Sequence, residues 1–578
     1  MVLKFLWQAS REHRHGGGGL LERVLRPFYP DPKLFPHHQE HSYTAVYSRD
    51  KDYLFEDDND KTFSSATRGR IVDFILNYAK FLPGGDSAFG INRLIKDGVY
   101  LAAYPLHDGT IETPGSQRQL LSQEWACWSK WWKYQPLDAI RDYFGVKIGL
   151  YFAFLGFYTA MLIPPSLVGI VCFLYGVATA SFDIPSSEVC GSMANVIMCP
   201  TCDEICSTWL LGETCEIVRA KYMFDNVATV VFAVFMSLWS AVFLEVWRRY
   251  SAEICHRWDV FGFDPEDDHP RPAYLLQLKD VKPEDWEENF VTREREPFPP
   301  FWRMKLPGVM LSWTTVTLLV TLAIITVIAI IFYRISMVAA FIAVDDSHIK
   351  SHFSNIITGT GAAINLICIL IFNFVYNYVA KWLTEMELHR TQTSFDNSLA
   401  LKIYLFHSVN CYASIFYVAF VKGNFVGTPN QYVRIFTFRQ EECQPAGGCF
   451  MELTIQLAII FIGKQFLLAI PEYLKPLWGK ILNLMKLGGL KKVVHLVDCD
   501  PNEPQHIRDY KLAEWGGRWG GLFHEYLEMV IQYGFITIFA CAFPLAPLFA
   551  LLNNTCELRL DAKKILQLHR RPVAQKVV

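Results

Sequence analysis

Residues 307–333 read PGVMLSWTTVTLLVTLAIITVIAIIFY, an apolar run without a single charged residue. A membrane-spanning helix needs about 20 consecutive apolar residues, so this run is long enough to cross a bilayer. A helix satisfies its backbone polar groups within itself, which any segment in hydrocarbon must do. The run therefore predicts a membrane-spanning helix.

Similar apolar runs recur on both sides of this one. Together they predict a polytopic α-helical membrane protein with about eight spans, near 148–176, 224–246, 307–333, 355–380, 399–421, 450–475, 525–543 and 545–566. The last two spans are joined by Phe543-Pro544-Leu545-Ala546-Pro547, and we expect a tight hairpin there.

The composition agrees with a membrane protein and excludes other classes. The chain is 52% hydrophobic and only 19% charged, whereas soluble proteins carry about a quarter charged residues. The net charge of −3 provides no strong field to gather nucleic acid, so no nucleic-acid partner is expected. The 43 Phe, 26 Tyr and 16 Trp exclude a disordered chain.

The residues before the first span differ from the rest. No run before residue 147 is long enough to cross a bilayer, and none has the form of a signal peptide. The tract Gly16 to Gly19 is not followed by Gly-Lys-Ser/Thr and is interpreted as a flexible linker. We interpret residues 1–62 as a flexible N-terminus and expect an ordered cytosolic domain to begin near Ser64.

Lysine and arginine predict the orientation of the spans. They concentrate in the loops after the second and sixth spans and in the tail, whereas loop 177–223 contains only Arg219 and Lys221. This asymmetry places loop 177–223 outside and both termini, including the tail 567–578, in the cytosol.

Seven of the 15 cysteines lie in or beside two predicted outside loops. An oxidising exterior favours disulfides there, and the sequence leaves their pairing open. Cys199 and Cys202 also match half of a zinc or redox motif, but no second Cys/His pair accompanies them. The disulfide candidates are Cys190, Cys199, Cys202, Cys206, Cys215, Cys443 and Cys449.

Acidic residues lie inside the last three spans. Glu525 and Glu528 are three residues apart, and Glu557 and Asp561 are four apart, so each pair shares one helix face. Glu472 lies near the cytosolic end of the sixth span. At a helix centre each acid costs about 2.5–3.5 kcal/mol, so the set needs compensation.

Two explanations account for these acids. Interfacial salt bridges would explain Glu472 and the second pair, because Lys475, Arg559, Lys563 and Lys564 lie nearby in the sequence. Glu525 and Glu528 have no Lys or Arg within one turn on the apolar run that follows. Calcium takes 6–8 oxygen ligands, and two calcium ions would nearly cancel five carboxylates.

Polar and cationic side chains also recur in the fourth to sixth spans. Isolated Asn residues there are typical of hydrogen bonds between helices. Lys402, His407 and Lys464 are interpreted instead as facing a water-filled path that favours anions. Gly463 weakens the helix that carries Glu472 and is a candidate gating hinge.

At these residues the sequence resembles the anoctamin family of calcium-activated chloride channels and phospholipid scramblases. The family-like stretches are Phe63-Ser-Ser-Ala-Thr-Arg68, Tyr100-Leu-Ala-Ala-Tyr-Pro-Leu-His-Asp-Gly109, Lys133-Tyr-Gln-Pro-Leu-Asp138, Gly463-Lys-Gln465, Glu525-Tyr-Leu-Glu-Met529, Pro544-Leu-Ala-Pro-Leu548 and Arg559-Leu-Asp-Ala562. The resemblance implies a cytosolic α/β domain with a dimerisation role at 63–146, a transmembrane domain at 147–566, and a homodimer.

The resemblance also implies two calcium ions per subunit, held between the sixth, seventh and eighth helices. Leu468 and Pro471 depart from the family beside the sixth-helix ligand, so we expect somewhat weaker binding. Gly463 matches the hinge glycine of the family. The residues that match the ligands are Glu472, Glu525, Glu528, Glu557 and Asp561.

The expected function is a calcium-activated chloride channel in the plasma membrane or the endoplasmic reticulum. The alternatives are a calcium-dependent phospholipid scramblase with an ion leak, or a non-conducting tether or regulatory fragment. The family has ten helices, and we expect this chain to be a truncated form of it. No enzyme is expected, because the sequence has no nucleophile elbow, phosphate loop or spaced His set.

Overall fold

The computed structural model describes most of the membrane region and part of the N-terminal region. The described residues are 64–79, 90–200, 208–258, 301–342, 347–424, 448–463, 504–515 and 522–574, with short pieces and single residues between 31 and 50, 260 and 297, and 427 and 443.

The described part of the chain before residue 146 is helical. Its elements are α1 (Ser65–Tyr78), α2 (Ile91–Lys96), α3 (Gln117–Glu124), a 3-10 turn (Trp128–Lys130) and α4 (Leu137–Phe144). The hydroxyls of Ser64 and Ser116 accept backbone amide hydrogen bonds and cap α1 and α3. The α/β character and the boundary at residue 63 stay predictions.

Five helical segments of the described chain are long and apolar enough to cross a membrane, namely Val146–Thr179, Leu211–Arg257, Trp302–Met337, Gly359–Met386 and Gln392–Lys422. They correspond to the first five predicted spans and confirm the polytopic helical fold. The helices that build or flank them are α5 (Val146–Met161), α6 (Ile163–Thr179), α7 (Ile184–Cys190), α8 (Cys215–Phe224), α9 (Val227–Arg257), α10 (Leu306–Ile342), α11 (Ser347–Met386) and α12 (Gln392–Phe416).

The last three predicted spans are shorter helices in the described chain. The sixth appears as the apolar helix α13 (Gly448–Gly463), and residues 464–475 of that prediction lie outside the described residues. A short helix α14 (Gln505–Tyr510) precedes α15 (Leu522–Ile538) and α16 (Ala546–Lys563). A 3-10 turn at Ala540–Ala542 separates α15 from α16, which gives the expected tight hairpin.

Short antiparallel strand pairs occupy several loops. The pairs are β1 (Ile197–Met198) with β2 (Trp209–Leu210), β3 (Trp286–Glu288) with β4 (Arg295–Pro297), β5 (Gly427–Thr428) with β6 (Gln431–Tyr432), and β7 (Arg434–Ile435) with β8 (Phe438–Arg439). The first and the last two lie in predicted outside loops.

Aromatic side chains form the core between the membrane helices. The ring centroid of Phe243 on α9 lies 5.5 Å from Phe157 on α5 and 5.1 Å from Tyr533 on α15. On α6, a Cβ added to Gly169 would lie 2.1 Å from the Pro544 carbonyl oxygen. The glycine therefore lets the α15–α16 turn pack directly against α6.

A buried polar cluster joins the N-terminal region to the segments beside α15 and α16. The His107 amide donates to Asp509 over 3.0 Å, and its ring bonds the Tyr143 hydroxyl at 2.9 Å and the His569 carbonyl at 3.0 Å. The Arg118 guanidinium donates to the Leu566 carbonyl at 2.8 Å. The His107 ring thus accepts from a hydroxyl and donates to a carbonyl, which suits a neutral imidazole.

Because of this cluster, we expect the folded protein to lose stability in acid. Burial, and then the nearby Arg118 charge, lower the pKa of His107 from 6.5 to about 3. The unfolded histidine binds a proton below pH 6.5, whereas the folded one does so only near pH 3. The folded protein therefore loses stability as the pH falls from 6.5 toward 3. We expect a loss of about 2 kcal/mol between pH 6.5 and pH 5.

The measurement is thermal unfolding of the purified protein at pH 7 and pH 5. His107→Gln should reduce the dependence of the unfolding free energy on pH by the equivalent of about one bound proton, because the substituted side chain does not titrate. An unchanged pH dependence in that variant would show that other groups control acid stability.

Candidate metal site

Three of the predicted acids meet in the structure. Glu525, Glu557 and Asp561 each offer a carboxylate oxygen, and these three oxygens lie within 4.8 Å of one another. Asp561 is 2% exposed, and the two glutamates are half-buried. We call these three residues the carboxylate cluster.

The hairpin explains why acids distant in the sequence become neighbours. Glu525 lies near the start of α15, whereas Glu557 and Asp561 lie near the end of α16. Because the two helices run in opposite directions, both ends lie on the same side, which is the predicted cytosolic side. The spacing of four residues places Glu557 and Asp561 one turn apart on one face of α16.

Other side chains hold the cluster in place. The Tyr151 hydroxyl on α5 donates to Asp561 at 2.6 Å, so a third helix contributes to the site. The Lys564 ammonium lies 3.1 Å from Glu525 and 3.7 Å from Asp561. The Asn553 amide donates to Glu557 at 3.3 Å.

The charge and the donor atoms of the site suit a hard divalent cation. Three carboxylates and one ammonium have a formal charge of −2, which is costly at membrane depth without a further cation. All three carboxylates present oxygen donors, which calcium prefers, whereas zinc favours nitrogen and sulfur. On α16, the fully buried Asn554 side chain has no hydrogen-bond partner for either amide atom within the described residues. A buried amide normally bonds protein or ordered water, so the Asn554 side chain is a candidate partner for a water or a further ligand beside α16.

The remaining predicted ligands are not part of this cluster in the described chain. Glu528 lies one turn after Glu525 on α15 and is half-buried, but it is not within the group of three. Glu472, Leu468 and Pro471 lie outside the described residues. The five-carboxylate ligand set therefore stays a prediction.

Sequence reasoning missed the lysine beside Glu525. Glu525 has no cation within one turn of its own helix, but Lys564 reaches it from the segment after α16. The sequence placed Lys564 only near Glu557 and Asp561. The signal lay in the predicted hairpin, because antiparallel helices bring the residues after one beside the start of the other.

The predicted path residue Lys402 is enclosed by protein. Its side chain is fully buried, and the ammonium lies 2.7 Å from Glu387. It also donates to Ser398 at 2.8 Å and Thr384 at 3.2 Å. These contacts describe a buried ion pair between α12 and the end of α11. A role of Lys402 in permeation stays a prediction.

The structure describes fewer contacts for the other predicted groove residues. His407 is buried on α12, with its ring 6.3 Å from that of Phe406. Gly463 is the last described residue of α13, and an added Cβ there would lie 3.4 Å from Leu366. Lys464 lies outside the described residues. The path and hinge roles of these residues stay predictions.

A second buried ion cluster joins three membrane helices. The Lys422 ammonium lies 2.6 Å from Glu452 on α13, and the Arg334 guanidinium on α10 lies 2.5 Å from the same carboxylate. All three side chains are at most 5% exposed. No sequence pattern indicated this contact, because the three residues lie far apart along the chain.

Two disulfides form among those candidate cysteines that the structure describes. Cys190 pairs with Cys215, and Cys443 pairs with Cys449. Cys199 is exposed and makes no disulfide, whereas Cys202 and Cys206 lie outside the described residues.

These features define a polytopic membrane protein with a candidate divalent-cation site. The family model of anoctamins, described as calcium-activated chloride channels, matches residues 140–578, and the anoctamin dimerisation-domain model matches residues 3–137. The chain therefore belongs to the anoctamin family. The second match also includes residues 3–62, which were interpreted above as a flexible N-terminus before the dimerisation region at 63–146.

Curated relatives show similar agreement. Human anoctamin-1 is 41% identical over 96% of this chain and 59% of its own length. Human anoctamin-5 is 40% identical over 95% of this chain, and mouse anoctamin-7 is 40% identical over 91%. Both matches cover 60% of the relative. The chain thus spans about three fifths of these relatives.

We expect that removing the charge of Lys564 increases the affinity of the site for calcium. Because its ammonium lies 3.1 Å from Glu525, it competes with any cation for that carboxylate. We expect Lys564→Gln to bind calcium about tenfold more tightly, which corresponds to about 1.4 kcal/mol. Isothermal titration calorimetry on the purified protein measures the change.

The control is Lys563→Gln, which neutralises the exposed neighbouring lysine. Its affinity should stay close to that of the unchanged protein. Weaker binding in Lys564→Gln would show instead that the lysine organises the carboxylates for the ion.

Proposed function

We propose that this protein is a calcium-activated anion channel, opened by cytosolic calcium bound at the carboxylate cluster. The observation that carries the proposal is the meeting of Glu525, Glu557 and Asp561 within 4.8 Å at the predicted cytosolic end of α15 and α16. The description of the matching family as calcium-activated chloride channels supports it.

The chain supplies the parts of a charge-controlled switch. Calcium, when bound, would offset the mutual repulsion of the carboxylates. The ammonium of Lys564 partly fulfils that role by lying between Glu525 and Asp561, and it would move aside as a cation is held. Tyr151 orients Asp561 through a 2.6 Å hydrogen bond, so α5 fixes one side of the site.

The moving element in this proposal is the predicted remainder of the sixth span, which follows α13 and carries Glu472. Glu472 is expected to complete the site, together with Glu528, and two ions per subunit are expected. Repulsion between Glu472 and the cluster would bend this helix about Gly463 when calcium is absent. Neutralisation would straighten it and open the groove to chloride, with Lys402, His407 and Lys464 as candidate path residues.

The assembly and location are also proposed from the family. The match to a dimerisation-domain model over residues 3–137 supports a homodimer. We place the channel in the plasma membrane, with both termini in the cytosol, and assign residues 147–566 to the transmembrane domain. Membrane phospholipids are its surroundings and, if the groove admits headgroups, a second transported class.

The test is chloride efflux from liposomes containing the purified protein, with and without calcium, while flipping of labelled lipids is followed in parallel. We expect calcium-dependent efflux that is lost in Glu525→Gln at the calcium concentration that half-activates the unchanged protein, because that change removes one charge of the cluster and weakens calcium binding. Efflux with lipid flipping would identify a scramblase that leaks ions. Calcium-independent efflux, or none, would contradict the proposal.

A further inference from the structure

A cluster of exposed aromatic side chains lies just before the first membrane helix. Residues 128–134 read WSKWWKY, and we call them the tryptophan loop. Trp128, Trp131, Trp132 and Tyr134 are 42%, 57%, 47% and 41% exposed. Four large aromatic groups exposed within seven residues are unusual for a surface that faces water alone.

The loop lies beside the first membrane span rather than away from the membrane. Gln135, which directly follows the loop, donates to the Phe152 carbonyl of α5 at 2.9 Å. Trp125, just before the loop, donates to Gln135 at 3.1 Å. Phe152 is six residues into α5, which is about 9 Å along the helix axis from its first residue.

A second contact of α5, to a tryptophan on α9, indicates that this part of α5 lies near the membrane–water interface. The Phe154 ring on α5 lies 4.8 Å from Trp247 on α9, and Arg248 and Arg249 directly follow that tryptophan. Tryptophan followed by arginine is typical of a membrane–water interface, and the arginines place it on the cytosolic side. With the orientation predicted from lysine and arginine, the tryptophan loop is therefore expected at the level of the cytosolic headgroups.

The charges of the loop suit the same surroundings. Lys130 and Lys133 both lie near Glu124, with Lys130 in close contact and Lys133 at 3.9 Å. Two ammonium groups beside one carboxylate carry a formal charge of +1. The cytosolic leaflet is anionic and attracts basic segments, while indole rings favour the headgroup region.

The backbone of the loop is held rigidly from inside. The buried Arg559 guanidinium on α16 donates to the carbonyls of Lys130 at 3.0 Å and Lys133 at 2.9 Å. It also donates to the carbonyls of Trp125 and Trp131. With its carbonyls bonded inward, the loop presents its aromatic rings outward.

We propose that the tryptophan loop is a membrane anchor that inserts its indole rings among the anionic phospholipid headgroups of the cytosolic leaflet. The anchor belongs to the N-terminal region and not to a membrane span, and it goes beyond the proposed channel activity. Since Arg559 lies between Glu557 and Asp561 on α16, the anchor is joined directly to the helix that carries the carboxylate cluster.

Photo-crosslinking tests the anchor without using calcium or transport. Benzoylphenylalanine replaces Trp131 or Trp132 in the full chain, which is reconstituted into liposomes of equal parts phosphatidylcholine and phosphatidylserine. The control carries the same group at Leu101, an apolar residue of the N-terminal region that is 81% exposed. After illumination, mass spectrometry should find several-fold more lipid adducts at positions 131 and 132 than at 101.

Other outcomes would overturn the proposal. A crosslink to a second copy of the chain would assign the loop to a dimer contact, and lipid adducts no more frequent than at Leu101 would assign it to water. Hydroxyl-radical footprinting of the unmodified protein in the same liposomes needs no substitution. It should oxidise Trp131 and Trp132 several-fold less than Tyr100, which is 53% exposed, and equal oxidation would overturn the anchor.

Discussion

Asp561→Asn is expected to raise the calcium concentration for half-maximal chloride efflux by about a hundredfold. Asp561 is the most buried member of the carboxylate cluster, and Tyr151 holds it in place. At an effective dielectric constant of about 20, a divalent ion and a carboxylate about 4 Å apart attract by ~8 kcal/mol. The asparagine oxygen remains a ligand, so we expect a loss of about 3 kcal/mol, which is about a hundredfold in affinity.

The matched control is Glu245→Gln on α9. Glu245 is an exposed glutamate that pairs with Arg249 over 3.0 Å, so neutralising it should leave the calcium response unchanged. Efflux at saturating calcium should persist in Asp561→Asn, which separates weaker binding from misfolding. A calcium response that is unaltered in Asp561→Asn would place the sensor elsewhere in the protein.

Glu387→Gln is expected to destabilise the protein by about 3–5 kcal/mol, because it leaves the buried Lys402 ammonium without its carboxylate. Glu387 is 3% exposed and lies 2.7 Å from Lys402. The same carboxylate accepts from Ser398 at 2.9 Å. The midpoint of thermal unfolding in detergent should fall by several degrees.

The double variant Glu387→Leu with Lys402→Met separates the cost of one unpaired buried charge from the contribution of the ion pair itself. Replacing both charges by apolar groups should recover most of the stability, because neither residue is then left as an uncompensated buried charge. Glu385→Gln serves as control, since Glu385 is an exposed acid two residues away on α11. Equal stability in Glu387→Gln, with altered anion selectivity in Lys402→Met, would support the predicted path role of Lys402 instead.

The helical membrane fold was accessible from the sequence because its signal is local. An apolar run such as 307–333 has no favourable place in water, and its backbone can be satisfied only within a helix or a closed barrel. The structure accordingly has α10 over Leu306–Ile342. The ends of helices were less accessible, since α9 continues to Arg257, beyond the predicted end of the span at residue 246.

The candidate site was accessible only in part. Spacing placed Glu557 and Asp561 on one face, and the Pro-containing turn predicted that α15 and α16 would be neighbours. Neither pattern indicated that Tyr151 would approach from α5, or that Lys564 would lie against Glu525. Those contacts depend on how helices rotate about their axes, which side-chain packing decides.

The sequence by itself determined that this chain crosses a membrane, that it carries acids where charge is costly, and that it resembles one family. Each of these follows from the transfer of individual side chains between water and hydrocarbon, which depends on composition and short-range order. Only the tertiary structure decided the partners of the charges. It paired Lys402 with Glu387, gathered Glu452 with Arg334 and Lys422, and fixed the tryptophan loop through Arg559. A buried charge is stable only beside a specific opposite charge or carbonyl, and that neighbour can lie anywhere along the chain.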